Sequence, residues 1–143
     1  MTLVGLSIRN QFAGTVTAVA VGEVMSTVKV RLGDGPEITA AITAEAVKDL
    51  GLAEGAAVHV LIKSTEVAVA TGPVGAMSIR NRIPGTVAAV DHGAVMTMVK
   101  IAFNGGDMLT AAITRDGAED LELAEGAVVT ALVKSTEVSL AQP

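Results

Sequence analysis

The sequence lacks cysteine altogether and is nearly free of aromatic residues. Among its 143 residues there is no Cys, Trp or Tyr, and two are Phe. Without cysteine the chain can form no disulfide, no thiolate metal site and no cysteine nucleophile. Without aromatic platforms it is poorly suited to stack nucleic-acid bases or a flat heterocycle. Because 50% of the residues are hydrophobic, a folded core is expected, and it must be built from aliphatic side chains and methionine.

Neither the charge nor the apolar segments favour a polyanionic partner or a membrane. The formal net charge is −5, which argues against binding to nucleic acid or to an anionic membrane surface. Apolar runs such as residues 56–62 are far shorter than the roughly 18 residues that a spanning helix needs. The amino-terminal residues lack the basic and apolar regions of a signal peptide. We therefore expect a soluble, cytoplasmic protein.

The dominant feature of the sequence is an internal repeat. Residues 7–70 align without a gap with residues 78–141 at an offset of 71, and roughly half of the aligned positions are identical. Between the copies lies the segment TGPVGAM, whose Gly and Pro residues are typical of a linker. The repeat predicts two tandem domains, 1–70 and 78–143, joined by a linker at 71–77.

Each copy has the pattern of a small β-protein with one short helix. The strands predicted in the first copy are residues 12–21, 24–32, 38–43 and 56–63. A helix is expected after the third strand, with Thr43 and Thr114 as N-caps. Gly51 can end the first helix, whereas the second copy has Glu122 at that position and should end its helix differently. The predicted fold class is all-β with one short helix per repeat, arranged as two small barrels.

A single repeat is too small to be stable by itself. About 64 residues bury only some 60% of their unfolded surface, so we expect each repeat to gain burial by joining its twin and further chains. Met25 and Met96 recur at equivalent positions and are expected in strand cores.

No motif for catalysis is present. The sequence contains no GxSxG, HExxH, P-loop or GxGxxG pattern. Its two histidines, His59 and His92, fall at non-equivalent positions of the repeat, so a strand histidine and a solvated turn histidine are the favoured interpretations. We therefore expect that the protein is not an enzyme.

Two polar clusters recur at equivalent places in both copies. One is Ser-Ile-Arg-Asn and the other is Lys-Ser-Thr-Glu, with the segment Ala-Ala-Ile-Thr between them. Hydroxyl, ammonium and guanidinium groups and the start of a helix all donate hydrogen bonds, which suits an oxyanion. Donors at both ends of one barrel suggest one anion site per repeat. The candidate residues are Ser7, Arg9, Asn10, Thr43, Lys63 and Ser64 in the first copy and Ser78, Arg80, Asn81, Thr114, Lys134 and Ser135 in the second.

The same residues also allow a purely structural interpretation. Ser and Arg at a strand start can close turns, and Lys at a strand end is commonly a solvated edge residue. Glu66 and Glu137 stand close in sequence to the lysines, and pairing with them would neutralise part of the site. The residues by themselves leave both interpretations open.

The order of these motifs resembles the Mop domain, also called TOBE, and the tandem arrangement is similar to a molbindin. The matching signature is Ser-x-Arg-Asn, Gly-Thr-Val at 14–16 and 85–87, Ala-Ile-Thr, Leu-x-x-Gly and Lys-Ser, and it runs through both copies. The resemblance implies OB-like β-barrels that exchange strands, and a homotrimer with pseudo-hexameric symmetry. It also implies binding of molybdate, with tungstate as an analogue, at domain and subunit interfaces, for storage and homeostasis of molybdenum.

For the site, the resemblance implies that the serines, arginines, lysines and threonines among these candidates donate to the oxyanion, and that none of the twelve is a direct ligand of a metal cation. Relatives often carry a hydroxyl three residues after the capping Thr. Here Ala46 and Gly117 stand at that place, so a contact there would come from a backbone N–H or be absent.

Two other functions are carried as alternatives. The first is a ligand-sensing regulatory module, because relatives of this domain are fused to DNA-binding or transport-ATPase domains; a basic helical arm, which DNA binding would require, is not seen in the sequence. The second is a molybdopterin-binding protein, for which the sequence offers no aromatic platform.

Overall fold

The computed structural model describes residues 5–143. The strands of the first repeat are β1 (Asn10–Val21), β2 (Met25–Arg31), β3 (Glu37–Thr43), β4 (Ala57–Ile62) and β5 (Ala68–Ala70). The strands of the second repeat are β6 (Asn81–His92), β7 (Met96–Phe103), β8 (Asp107–Thr114), β9 (Val128–Val133) and β10 (Val138–Ala141). Each repeat also has one short helix, α1 (Ala44–Asp49) or α2 (Arg115–Asp120), and one 3₁₀ turn, Ser64–Glu66 or Ser135–Glu137.

The chain forms two compact units whose boundaries do not follow the sequence repeat. Of the described residues, the first unit contains 5–62 and 134–143, and the second contains 63–133. The end of each repeat therefore belongs to the unit that contains the long strands of the other repeat. The strands that cross in this way are β10, which joins the first unit, and β5, which joins the second.

The first unit is an antiparallel sheet of five strands in the order β10-β4-β1-β2-β3. Along β2 the side chains alternate, with Ser26, Val28 and Val30 buried and their neighbours exposed, as the two-residue period of a strand requires. Because β10 also contacts β3, the two edges of the sheet approach each other and the sheet curls around its core. The central core side chains are Val16, Val28, Val30, Ile38, Val60 and Ile62.

The second unit repeats this sheet in the order β5-β9-β6-β7-β8. Its β5 edge contacts β8, and the register is conserved, since Ala68 pairs with Leu132 as the equivalent Ser139 pairs with Leu61 in the first unit. The core is again aliphatic. Its central side chains are Ile83, Val87, Val99, Ile101, Leu109 and Val133.

The glycine of the Gly-Thr-Val motif lies against the neighbouring strand in each sheet. A β-carbon on Gly14 would lie 2.5 Å from Val30 Cγ1, and one on Gly85 would lie 2.6 Å from Ile101 Cγ2, so neither position has room for a side chain. Directly afterwards the register with the next strand shifts, between Val16 and Ala18 in β1 and at the equivalent place in β6. A bulge of this kind increases the local twist of the strand and helps the sheet to curl.

Both helices begin and end in the same way. Thr43 and Thr114 are the N-caps, as predicted. At the other end, Gly51 has a φ of +62° and Glu122 has a φ of +53°, so both residues adopt the left-handed conformation that closes a helix. The expectation of a different end for the second helix was wrong, because Glu122 takes the glycine conformation despite the strain on a residue with a β-carbon.

The predicted fold class, all-β with one short helix per repeat, is confirmed. The four strands predicted in the first copy agree with β1 to β4 to within about two residues, whereas the short β5 and β10 were missed. The prediction that Met25 and Met96 lie in strand cores was wrong. They are 48% and 45% exposed, because the alternation of β2 and β7 gives the inward positions to the residues that follow them.

Candidate oxyanion site

The Lys-Ser-Thr-Glu clusters form two short turns that we call the first Lys-Ser turn (63–66) and the second Lys-Ser turn (134–137). In each, an exposed Lys directly follows a strand of the core, β4 or β9, and the next three residues form the 3₁₀ turn. The first turn contacts β8 and the second contacts β3. Each Lys-Ser turn therefore packs in its unit against the strand that ends at a capping threonine, and that strand comes from the other repeat.

The serine hydroxyl of each Lys-Ser turn is buried without a partner. The Oγ atoms of Ser64 and Ser135 have almost no solvent-accessible surface and make no hydrogen bond. A buried hydroxyl that is left unpaired costs about 1–3 kcal/mol, and such groups are rare in native proteins unless they serve a purpose. That the same atom is orphaned twice, at equivalent positions, makes these serines the strongest ligand candidates in the chain.

The lysines of the two turns are not neutralised by neighbouring carboxylates. Across residues 5–143 the ion pairs are Arg31–Glu37 and Arg115–Glu119, so the expected pairing of Glu66 or Glu137 with a nearby cation is not observed. Lys63 and Lys134 are exposed. Each turn therefore presents a positive charge next to a buried hydroxyl, which is a favourable combination for an anion.

Thr43 and Thr114 hold the helix starts through their hydroxyl oxygens. Thr43 Oγ1 accepts a hydrogen bond from the Ala46 N–H at 3.0 Å, and Thr114 Oγ1 accepts one from the Gly117 N–H at 3.0 Å. These caps occupy the two backbone N–H groups that were considered as ligand donors in place of a side-chain hydroxyl. The threonine O–H itself remains able to donate, because a hydroxyl has one donor in addition to its acceptor lone pairs.

The first Ser-Ile-Arg-Asn cluster lies at the start of β1. Ser7 and Arg9 are exposed, and Asn10 is 1% exposed and pairs along the sheet with Ile62, the last residue of β4. The Arg9 side chain folds back on its own segment, where Nε donates to the Ser7 carbonyl and Nη2 to the Leu6 carbonyl, both at 3.2 Å. The neighbouring Gln11 donates from Nε2 to the Ile8 carbonyl at 2.9 Å.

The second cluster lies at the start of β6, as the first lies at the start of β1, but a different arginine binds the backbone carbonyls. Asn81 is 2% exposed and pairs with Val133 at the end of β9. Arg82, which replaces Gln11 in the repeat, donates from Nε to the Ile79 carbonyl at 3.3 Å and from Nη2 to the Met77 carbonyl at 3.2 Å. Arg80, the motif arginine, is exposed and makes no hydrogen bond or ion pair within the described residues. The role of Arg82 was not predicted from the sequence.

The structure groups candidates from different repeats in one unit. Each Lys-Ser turn lies in the unit that contains the other repeat's capping threonine, because the end of each repeat crosses to the other unit. The expectation that one repeat would hold both ends of its own donor set in one barrel is therefore corrected. Apart from the family resemblance, no sequence pattern indicated this exchange, because the crossing strands are very short.

The two histidines do not extend the site. His59 is buried in β4 at 4% exposure, and His92 is exposed at the end of β6, where its Nδ1 is hydrogen-bonded to Thr97 Oγ1 at 2.9 Å. Within the part of the chain that is described, no group of three His, Cys, Asp or Glu side chains could hold a metal cation. No helix in that part is of sufficient length and apolarity to cross a membrane.

One shallow groove lies apart from all of these residues. It encloses about 340 Å³ beside the ends of β1 and β2 in the first unit. Ser26, whose buried hydroxyl has no partner, is one of its lining residues. Its lining contains none of the twelve candidates and is otherwise mainly apolar, so it does not offer the donors that an oxyanion needs. The lining residues are Ala20, Val21, Gly22, Met25, Ser26, Thr27 and Ala41.

Comparison with known proteins identifies relatives over nearly the whole chain. The chain is 41% identical over 138 residues to the molybdenum-pterin-binding protein MopB of Rhodobacter capsulatus, and 34% identical over 136 residues to the DNA-binding transcriptional dual regulator ModE of Escherichia coli K12. These matches cover 96% and 94% of the chain, which spans about half the length of each of these relatives, 51% in both cases.

A solved structure matches over nearly the whole of this chain. It is the cytoplasmic molybdate-binding protein ModG with molybdate bound, which is 35% identical and superposes with a TM-score of 0.95 over 98% of this chain and 100% of that one. The TOBE domain model matches residues 6–69 and 77–140. The chain therefore belongs to the TOBE domain family, with two such domains in tandem, and is a homologue of MopB and ModG.

Proposed function

We propose that this chain binds molybdate and has no catalytic activity of its own. Molybdate is the ligand in the matching ModG structure, and the relatives of this chain include molybdenum-pterin-binding proteins and ModE regulators. Those curated relatives are about twice as long as this chain. We therefore assign a function only to the part that this chain shares with them. Oxyanion binding is the function that we assign to that shared part.

The chemistry of the donor set supports a bare dianion as the ligand. Molybdate is tetrahedral and offers four acceptor oxygens and no donor. Ammonium and guanidinium groups can only donate, so their contacts favour molybdate over protonated phosphate, whose hydrogen would have to find an acceptor among the hydroxyl and amide oxygens. Sulfate is also a bare dianion, and its rejection must therefore depend on the size of the site. The net charge of −5 is no obstacle, because charges more than about 8 Å away are largely screened at physiological salt.

The observation that carries the proposal is the pair of orphaned serine hydroxyls. Ser64 Oγ and Ser135 Oγ are buried and unpaired, and each follows a lysine that no carboxylate within the described residues neutralises. An oxyanion would satisfy both groups at once. The proposed donors are the Lys-Ser turns, the O–H groups of Thr43 and Thr114, and the two Ser-x-Arg-Asn clusters, with Asn10 and Asn81 serving from buried positions.

We propose that the protein stores or buffers molybdate in the cytoplasm, accepts tungstate as an analogue, and works as a homotrimer with sites at interfaces. An assembly of this kind would cover exposed apolar side chains of the described surface, including Val24, Val95 and Val128, which are 72%, 74% and 77% exposed. The domain boundaries 1–70 and 78–143, with a linker at 71–77, remain our division of the sequence.

Calorimetric titration of the full chain with a series of tetrahedral anions tests the proposal. We expect tight binding of molybdate and tungstate, much weaker binding of sulfate and the weakest binding of phosphate. Weak binding of all four anions with similar affinities would contradict it. A pterin chromophore in the purified protein, with no bound oxyanion, would favour the molybdopterin alternative instead.

A further inference from the structure

The two Ser-x-Arg-Asn clusters are identical in sequence and differ in what their arginines do. In both units an arginine presents the same edge of its guanidinium group, Nε and Nη2, to two backbone carbonyls of the segment that precedes the strand. In the first unit that arginine is Arg9, which belongs to the motif. In the second unit it is Arg82, which lies outside the motif, and the motif residue Arg80 is left uncommitted within the described residues.

We infer that Arg82 is a positioning residue that makes the oxyanion sites of this protein unequal, with the Arg80 site binding more tightly than the Arg9 site. This inference rests on the proposed function. A guanidinium group binds an oxyanion best through two parallel N–H donors of one edge. The side edge of Arg9 is engaged by the Ser7 and Leu6 carbonyls, so Arg9 must break these bonds or use its remaining edge.

In the second cluster, the motif arginine Arg80 has no such hydrogen bonds to break among residues 5–143. Arg82 holds the Met77 and Ile79 carbonyls, which flank Ser78, so the serine-bearing segment is fixed before the ligand arrives. Arg80 keeps all its N–H groups for the anion. Gln11, at the position of Arg82 in the first repeat, donates to the Ile8 carbonyl, and its amide lacks the guanidinium fork with which Arg82 takes two carbonyls.

The size of the difference follows from the bonds involved. One intramolecular hydrogen bond is worth about 0.5–1.5 kcal/mol net, which corresponds to about a two- to tenfold change in affinity. We therefore expect two classes of site in a molybdate titration of the wild-type protein. Their dissociation constants should differ by about this factor, and the tighter class should fill first.

The repeat itself supplies a reciprocal pair of variants for the test. Arg82→Gln gives the second cluster the residue of the first, and Gln11→Arg gives the first cluster the residue of the second. To observe one class of site at a time, Arg82→Gln is measured in an Arg9→Ala background, and Gln11→Arg is measured in an Arg80→Ala background. We expect Arg82→Gln to weaken molybdate binding about two- to tenfold and Gln11→Arg to strengthen it by a similar factor.

Arg82→Lys separates positioning from charge. Lysine keeps the positive charge but has no planar fork that can take two carbonyls, so positioning predicts an affinity like that of Arg82→Gln. Wild-type affinity in Arg82→Lys would instead mean that the charge alone matters, and would overturn the inference. Thermal unfolding of each variant, measured without ligand, provides the control for folding.

A double-mutant cycle between Arg80 and Arg82 adds a measurement that a merely structural role would not affect. If Arg82 acts through Arg80, removing Arg80 costs less affinity in the Arg82→Gln protein than in the wild type. Strict additivity in this cycle, or unchanged affinities in both reciprocal variants, would overturn the inference while leaving molybdate binding intact. Failure of the wild-type protein to bind molybdate would overturn the proposed function as well.

Discussion

At the scale of single residues, the site is made of groups that the fold leaves unsatisfied. Ser64 and Ser135 are small, partly buried residues that sequence reasoning singled out only because they recur and match a family motif. Their burial and the absence of a partner for their hydroxyls depend on the turn packing against a strand of the other repeat. No local pattern reports such packing, so the sequence could nominate these residues and could not show that their hydroxyls are orphaned.

Replacement of these serines should change stability and binding in opposite directions. Ser64→Ala and Ser135→Ala remove a buried, unpaired hydroxyl, so the free energy of unfolding should stay the same or rise by about 1 kcal/mol, within the 1–3 kcal/mol cost of such a group. Molybdate binding should weaken by about tenfold, since one donor is lost. Denaturant unfolding and calorimetric titration measure the two effects.

The exposed threonines next to these serines are matched controls. Thr65→Ala and Thr136→Ala alter the same turns at exposed positions and should leave both quantities nearly unchanged. A serine variant that loses stability and keeps full affinity would show that the hydroxyl has a structural role.

The lysines of the turns should contribute to binding and not to stability. Lys63→Ala and Lys134→Ala each remove an exposed cation without an ion pair, so the unfolding midpoint should hardly move. Because a hydrogen bond to a charged group is worth about 1.5–3 kcal/mol, molybdate affinity should fall at least tenfold. Lys48→Ala, at an exposed position in α1, is the control, and an equal loss of affinity in that variant would point to a general charge effect.

At the scale of elements, the sequence was most informative where local chemistry decides the structure. The capping threonines and the long strands follow from short-range rules, and the structure agrees with them. Met25 and Met96, at the starts of β2 and β7, were wrongly assigned to the core. The assignment was based on their apolar side chains and ignored the alternation of buried and exposed positions along each strand. The three- and four-residue strands β5 and β10 were missed because they are too short to show a period.

The end of α2 offers a direct test of stored backbone strain. Glu122 adopts a φ of +53° where the first repeat has Gly51 at +62°. A residue with a β-carbon pays roughly 1–2 kcal/mol in this conformation, so Glu122→Gly should raise the free energy of unfolding by about 1 kcal/mol, measured by denaturant titration. Gly51→Ala should lower it by a similar amount. A destabilised Glu122→Gly protein would mean that contacts of the glutamate side chain outweigh the strain.

At the scale of the whole molecule, the exchange of short strands ties the two repeats together. The β4 strand pairs with β1 on one side and with β10, from the other repeat, on the other. A duplication visible in the sequence predicted two domains, yet the unit that folds around each core takes its last strand from the neighbouring copy. Which sheet a short end strand joins depends on which sheet edge is unpaired in the folded chain. Because the two repeats are so similar, neither sequence shows whether its end strand joins its own sheet or the other one.

A single repeat should therefore not persist as a folded monomer. In a fragment of residues 1–76, β4 would lack its outer neighbour and β5 would lack the strand that it joins in the full chain. Because β5 and β10 occupy equivalent registers, we expect two copies of the fragment to exchange β5 strands and form a dimer or a larger even-numbered assembly. Light scattering after size-exclusion chromatography measures this, and a stable, folded monomer would contradict it.

The most direct test of the central claim is to count molybdenum bound to the full chain at equilibrium. Dialysis against dilute molybdate with sulfate in large excess, followed by elemental analysis, gives the amount bound per chain for the wild type and for a Ser64→Ala, Ser135→Ala double variant. The account predicts stoichiometric molybdenum in the wild type and a marked loss in the double variant at unchanged folding. Equal retention by the two proteins would contradict it, as would displacement of molybdate by sulfate.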